Sequence, residues 1–103
     1  AMELALTGPF KGAEYFERLG LVNRLVEPGQ ALEAAVAFGN EILVNGPTAL
    51  AASKEIIFQA ANWTDEAGWT AQAPIAERAF NSEDRAEGLK AFAEKRKPVW
   101  KGR

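Results

Sequence analysis

The 103-residue chain contains neither cysteine nor histidine. Without cysteine no disulfide can form, a composition that suits a reducing compartment, and we expect a cytoplasmic protein. The two absences also exclude thiolate and imidazole metal sites, a cysteine nucleophile, a histidine general base and a serine–histidine–aspartate triad. Any proton transfer within the chain would fall to carboxylates, lysines or Tyr15. We therefore expect no metal site.

The sequence also lacks long apolar runs and a strong charge bias. No apolar run approaches the ~18 residues that a membrane-spanning helix needs, and the first residues lack the basic region and apolar stretch of a secretory signal. The formal net charge is -2, which gives the whole chain no bias toward nucleic acid. Apolar residues make up 48% and charged residues 25% of the chain. This balance predicts a globular domain whose core is modest because the chain is short.

Most of what is present has the spacing and the end signals of α-helices. Residues 1–6 are predicted to be the end of a helix, and 13–19 a short helix. Further helices are predicted over 31–44, from Pro47 through Ala61, after Thr64 as far as Phe80, and after Ser82 as far as Ala93. Gly8–Pro9 and Gly20 are expected to end the first two, and Pro47 suits the first position of a helix. Thr64 and Ser82 are expected N-caps followed by acidic residues, which the helix dipole favours there.

Three segments depart from this pattern. Residues 21–26 are short and branched and could form an extended segment before a turn at 27–29. Pro74 predicts a kink or an interruption in its helix. Residues 94–103 form a basic, irregular tail. The predicted class is therefore all-α, with four to five amphipathic helices and at most one short extended segment.

The predicted helices carry more large apolar side chains than so short a chain can readily cover. The expected apolar faces are Leu32, Val36, Gly39 and Leu43; Leu50, Ile57, Phe58 and Ala61; Trp69, Ala73, Ala76 and Phe80; and Leu89 with Phe92. Three tryptophans and six phenylalanines add to this load. We expect part of it to face a partner rather than an internal core, although a self-sufficient helical bundle is the alternative.

Four stretches, in order along nearly the whole chain, resemble the enoyl-CoA hydratase/isomerase (crotonase) family. They are ELALTG at residues 3–8; Ala13 followed by GLVNRLV at 20–26; NGP at 45–47 with Ala49 and Lys54; and FNSEDRAEGLKAFAEKRKP at 80–98. The first three are weak alone, whereas the fourth is specific. The resemblance covers the family's C-terminal helical segment.

This resemblance implies a helical trimerisation domain of an enzyme whose subunits assemble into trimers or hexamers. Residues 1–30 would form the junction with the family's spiral domain, residues 31–93 the oligomerisation domain, and residues 94–103 the tail. The family acts on acyl-CoA thioesters, with acyl-CoA as substrate and no further cofactor. Its oxyanion hole and catalytic glutamates lie in the spiral domain, before the Leu-Thr-Gly motif. We therefore expect no catalytic residue here, and neither Glu14 nor Glu94 to inherit such a role.

Lys95 is the candidate binding residue that the resemblance implies. It matches a basic position that in some relatives approaches the 3′-phosphate of CoA, and an ammonium is a suitable point charge for phosphate. The alternative is a solvated tail lysine. Ala76 stands where relatives often have a bulky aromatic, so no site is predicted there. Asp84 and Glu87 are expected to serve capping and surface pairing.

The parent reaction that the resemblance implies is hydration of trans-2-enoyl-CoA to 3-hydroxyacyl-CoA. A stand-alone helical protein-interaction module without enzymatic activity is the alternative. A nucleic-acid adaptor ranks below both. The tail carries a net charge of +4 and Trp100, which could stack a base, but the rest of the chain then carries -6 and would repel a polyanion. We therefore expect acyl-CoA and further copies of the chain as partners, and neither nucleic acid nor membrane.

Overall fold

Six helices and their connections make up the fold, which a computed structural model describes for residues 2–103. The helices are α1 (Met2–Thr7), α2 (Ala13–Arg18), α3 (Ala31–Ile42), α4 (Pro47–Ala60), α5 (Asp65–Phe80) and α6 (Glu83–Ala93). No strand occurs between residues 2 and 103, so the all-α class is confirmed. The helix end predicted over residues 1–6 includes Ala1, which lies outside the described residues.

The helix ends follow the predicted chemistry. Pro47 begins α4, the Thr64 hydroxyl accepts from the Ala67 amide at 3.2 Å, and the Ser82 hydroxyl accepts from the Arg85 amide at 3.1 Å. Gly8 and Gly20 follow α1 and α2 with φ of 57° and 72°. Glycine adopts this left-handed conformation without steric cost, which makes it a common residue after a helix.

The structure bears on two local predictions. Of the kink or interruption predicted at Pro74, the interruption is wrong, because α5 runs unbroken from Asp65 to Phe80. Proline removes one amide donor from the ladder, and α5, which packs against α4, remains a continuous helix despite that loss. Residues 21–26 form bends and irregular backbone, so the possible extended segment is not a β-strand. A strand needs a second strand to pair with, and residues 2–103 provide none.

The chain divides into two compact units, one up to Asn40 and one from Glu41 to Arg103. In the first unit, the Glu17 carboxylate accepts from the Leu25 amide at 3.1 Å. The guanidinium carbon of Arg24 lies 4.6 Å from the centre of the Phe38 ring, a cation–π distance. These contacts join the segment after α2 to the two neighbouring helices of that unit.

The second unit is built from α4, α5 and α6 around a very small core. Its buried apolar residues are Ala52, Ile75 and Ala91. Two of the three are alanines, which permit close approach of the helix backbones but bury little apolar area. Within residues 2–103, no helix has the length and apolarity that a bilayer span requires.

Most of the predicted apolar faces lie on the outside. Phe58 is 81% exposed, Trp69 76% and Phe92 87%. On α6 the packed side consists of Asp84, Glu87, Gly88 and Ala91, whereas Leu89 and Phe92 point elsewhere and stay exposed. The helices therefore pack through small and acidic residues, and they leave large apolar side chains uncovered.

Candidate functional site

The tail folds back onto the start of α6 and forms what we call the C-terminal clasp: residues 96–103 with Asp84, Glu87, Gly88 and the segment 44–46. Asp84 is at its centre and is only 2% exposed. Its carboxylate Oδ1 accepts from the Lys101 amide at 2.7 Å, and Oδ2 accepts from the Gly102 amide at 3.1 Å. The Asp84 amide in turn donates to the Arg103 carbonyl at 3.2 Å.

This burial corrects the prediction that Asp84 serves surface pairing. A buried carboxylate must receive hydrogen bonds, because an unsatisfied charge is costly away from water. Asp84 obtains them from tail amides, while the hydroxyl of Thr48 lies 3.5 Å from Oδ2. The cap of α6 is Ser82 alone. Asp84 therefore fixes the path of the tail.

Glu87 makes the second attachment of the clasp. Its Oε1 and Oε2 accept from Nη1 and Nη2 of Arg96 at 2.5 and 3.0 Å, and Oε1 also accepts from the Val99 amide at 2.8 Å. These bonds favour the ionised carboxylate: first the Arg96 guanidinium and then the Val99 amide lower the pKa of Glu87 from 4.5 to about 2. The same pairing raises the pKa of Arg96. The surface pairing predicted for Glu87 is confirmed.

Trp100 closes the clasp against two glycines. Its Nε1 donates to the Val44 carbonyl at 3.1 Å. A Cβ added at Gly88 would lie 3.3 Å from the ring, and one added at Gly46 would lie 3.6 Å from it. The absent side chain at Gly88 is what lets the indole approach the backbone of α6 this closely.

The clasp divides the five basic side chains of the tail into those that form ion pairs and those that do not. Arg96 pairs with Glu87 and with Glu94, the latter at 2.6 Å. Lys101 and Arg103 pair with Glu83 at 2.8 and 3.1 Å. Within residues 2–103, the two tail cations without an ion pair are Lys95 and Lys97. Most of the tail's positive charge is therefore already matched by α6 and its C-terminal cap.

Lys95 has an unusual backbone. Its φ is 53°, and no other non-glycine residue in the described part of the chain has a positive φ. The Arg96 amide donates to the Ala91 carbonyl at 3.0 Å and the Lys95 amide to the Phe92 carbonyl at 3.2 Å, which is the Schellman motif that ends many helices. The left-handed conformation costs a residue with a Cβ about 1 kcal/mol.

Helix α2 ends in the same motif with the expected residue. There the Leu21 amide donates to the Phe16 carbonyl at 3.0 Å and the Gly20 amide to the Glu17 carbonyl at 2.9 Å. Glycine occupies the left-handed position of α2, and Lys95 occupies it in α6. The left-handed conformation of Lys95 is therefore one that the helix end requires and that the residue itself does not favour.

The other residues considered in the sequence each have their own local surroundings. Glu14 is in the first turn of α2, Ala76 is half-buried in α5, and Glu94 bonds Arg96. Within residues 2–103 no cluster of acidic residues could hold a metal ion. The sequence reasoning missed the anchoring role of Asp84. The spacing of Asp84, Gly88 and Ala91 at i, i+4 and i+7 could have revealed it as a packed helix stripe.

Comparison with known proteins adds an independent finding. The family model described as enoyl-CoA hydratase/isomerase matches residues 1–103. A carnitinyl-CoA dehydratase of Salmonella typhi is 37% identical over 105 residues, covering 98% of this chain and 40% of that protein. The crystal structure of an enoyl-CoA hydratase from Mycobacterium tuberculosis H37Rv superposes with a TM-score of 0.94 at 47% identity, covering 99% of this chain and 40% of that one.

A second solved structure gives the same result. An enoyl-CoA hydratase from Mycobacterium marinum superposes with a TM-score of 0.94 at 48% identity, over 99% of this chain and 40% of that chain. The chain thus spans about 40% of the length of the curated relatives it matches.

Replacing the buried carboxylate tests the clasp. Asp84→Asn keeps the shape but loses the charge and turns an amide group toward the tail donors, so we expect a loss of about 2 kcal/mol in the free energy of unfolding. Amide exchange at Lys101 and Gly102 should accelerate. The control Asp65→Asn alters an exposed first-turn acid and should cost about 0.5 kcal/mol or less. Equal losses in urea unfolding at matched protein concentration would contradict the anchoring role.

The clasp should also respond to acid through Glu87. Its folded-state pKa lies below the ordinary value of 4.5, so the stability it contributes is present above about pH 4.5 and is lost as pH falls toward 2. Glu87→Gln should therefore be less stable than the wild type at pH 7, and the difference should shrink across this window. Urea unfolding at several pH values measures it. A difference that stays constant down to pH 2 would show that the Glu87 carboxylate is not held ionised.

Proposed function

Because the chain belongs to the enoyl-CoA hydratase/isomerase family, whose model matches residues 1–103, we propose that it is the C-terminal helical part of an enzyme that hydrates trans-2-enoyl-CoA to 3-hydroxyacyl-CoA. Similarity to the enoyl-CoA hydratase of M. tuberculosis, at 47% identity over 99% of this chain, is the observation that carries the proposal. Acyl-CoA is the substrate, and no other cofactor takes part. The cysteine-free composition supports a cytoplasmic location.

This part of the enzyme supplies binding and assembly rather than chemistry. In the family, backbone amides that stabilise the thioester enolate and the glutamates that transfer protons lie in the spiral domain. Two carboxylates of this part are committed to structural bonds: Glu87 bonds Arg96 and Val99, and Asp84 bonds the tail amides. The carboxylates with the most extensive bonding here hold structure.

Lys95 supplies a contact to the 3′-phosphate of CoA. Two observations support this role: its ammonium makes no ion pair within the described residues, whereas Arg96 beside it is matched by two carboxylates, and its backbone is left-handed where glycine is the common choice. An unpaired ammonium in solvent is available to a phosphate. Lys97 lacks the second feature.

The uncovered apolar faces supply subunit packing. Residues 31–93 carry most of them, including Leu32 at 78% and Val36 at 56% exposure on α3. Exposed apolar area of this extent is typical of an interface, and a core of three buried apolar side chains is small for an independent domain. We assign these faces to contacts in a trimer or hexamer, with residues 1–30 as the junction to the spiral domain.

The absence of catalytic groups is tested directly with crotonyl-CoA. We expect the purified 103-residue chain not to hydrate it, because the proton-transferring glutamates lie elsewhere in the family fold. The assay follows the ultraviolet absorbance of the enoyl thioester. A rate above that of buffer, retained after repeated purification, would contradict the proposal.

Subunit packing is tested by the mass in solution. Light scattering should give a trimer or a larger assembly, and Val36→Lys should lower the mass because it places a charge on the exposed apolar face of α3. Ala37→Lys adds the same charge to the same helix, about 100° away around its axis, and should leave the mass unchanged. A wild-type monomer would instead favour the alternative of an independent interaction module.

The CoA contact is tested by the ratio of the affinities for CoA and for 3′-dephospho-CoA. Lys95→Ala keeps the Cβ and hence the backbone strain, but it removes the ammonium. We expect about tenfold weaker binding of CoA and unchanged binding of 3′-dephospho-CoA, both followed by amide shifts in NMR titrations. Lys97→Ala removes the neighbouring unpaired ammonium and should change neither affinity. Equal effects of the two variants would mean that the tail attracts CoA only through its general charge.

A further inference from the structure

We propose that Glu87 is a positioning residue for Lys95: by fixing Arg96, its carboxylate keeps Lys95 in the left-handed conformation from which the ammonium meets the 3′-phosphate of CoA. This inference rests on the proposed function of Lys95 and extends it to a residue that does not touch the ligand. It identifies Glu87 as the residue that determines how Lys95 is placed for the contact with the phosphate.

Lys95 needs such support because its own backbone does not favour the conformation it has. Its φ of 53° is one that side chains with a Cβ rarely adopt. The equivalent position after α2 is Gly20, with a φ of 72°, and glycine requires no outside help there. At Lys95 the conformation must be imposed by neighbouring contacts.

Arg96 is held at both its backbone and its side chain. Its amide donates to the Ala91 carbonyl at 3.0 Å, and its guanidinium forms two parallel bonds with Glu87, at 2.5 and 3.0 Å. Lys95 therefore lies between the end of α6 and a fixed Arg96. A bidentate pair restricts orientation more than a single bond does.

Glu87 also fixes the chain beyond Arg96. Its Oε1 accepts from the Val99 amide at 2.8 Å, so one carboxylate fixes the tail at residues 96 and 99. Glu94 adds a bond to Nε of Arg96 at 2.6 Å but contacts neither Val99 nor the rest of the tail. Its side chain is 47% exposed, against 21% for Glu87. Glu87 is thus the better-buried of the two carboxylates and the one that reaches both points.

The ion pair between Glu87 and Arg96 also changes which cations near the proposed phosphate contact remain unpaired. Arg96 is adjacent to Lys95 and would compete for a phosphate if it were unpaired. With two carboxylates on its guanidinium, it is largely neutralised, which leaves Lys95 and Lys97 as the tail cations that are unpaired within the described residues. Of these two only Lys95 has the left-handed backbone, so Glu87 both holds that conformation and removes Arg96 as a competitor for the phosphate.

The test compares CoA with 3′-dephospho-CoA on the full chain, using NMR titration of wild type, Glu87→Gln, Lys95→Ala and the double variant. Glu87→Gln should lower the affinity ratio of the two ligands severalfold, and it should cause no further loss of the ratio in the Lys95→Ala background. Glu83→Gln is the control, because it removes the pairs with Lys101 and Arg103 but leaves Arg96 in place. It should keep the ratio. Far-UV circular dichroism checks that each variant folds.

The Arg96→Lys variant provides a second test, which does not require the Glu87→Gln variant to fold. Lysine keeps the charge but cannot form the two parallel bonds, so it should lower the ratio in the same way. A Glu87→Gln variant that binds both ligands equally less well, or that leaves both unchanged while Lys95→Ala lowers the ratio, would overturn this inference alone. A ratio unaffected by Lys95→Ala, or no binding of CoA to the wild type at millimolar concentrations, would overturn the proposed function as well.

Discussion

The carboxylate of Asp84 is the group around which the second unit is arranged. Because this carboxylate is buried, it depends on hydrogen bonds from the protein, and the backbone amides of Lys101 and Gly102 provide them. A backbone amide of the tail can reach this carboxylate only if the chain reverses direction at the end of α6 and runs back toward its start. That reversal places Trp100 against Gly88 and Val99 against Glu87. One buried charge thus fixes the course of the last residues, including those that follow Lys95.

This arrangement gives a physical reason for the spacing of the motif at residues 80–98. Ser82 caps α6, Asp84 and Glu87 hold the tail, Gly88 admits the indole of Trp100, and Ala91 is buried and accepts the Arg96 amide through its carbonyl. The residues of the motif hold the tail that follows α6 back against the same helix. They also hold Lys95, the residue proposed to contact CoA, between the end of α6 and the paired Arg96.

The large apolar side chains obey a different constraint. Close packing of α4, α5 and α6 leaves little room between the helices, so Phe58, Trp69 and Phe92 extend outward. In an isolated copy they would face water at a considerable cost. The fold is therefore consistent with a chain that completes its core by contact with other protein surfaces, as proposed for the family's oligomers.

Local chemistry along the sequence determined the helix class, the caps at Thr64 and Ser82, and the ends at Gly8 and Gly20, because each depends on residues within one turn of each other. Periodicity also located the apolar faces, but it could not tell which face packs. For α6 it favoured Leu89 and Phe92, whereas the packed side is Asp84 and Ala91. Only the tertiary structure decided that Asp84 is buried and Lys95 left-handed. Asp84 is bonded by amides of the returning tail, and Arg96, which follows Lys95, is bonded by a carboxylate of α6. Such pairings between segments are set by the path of the whole chain.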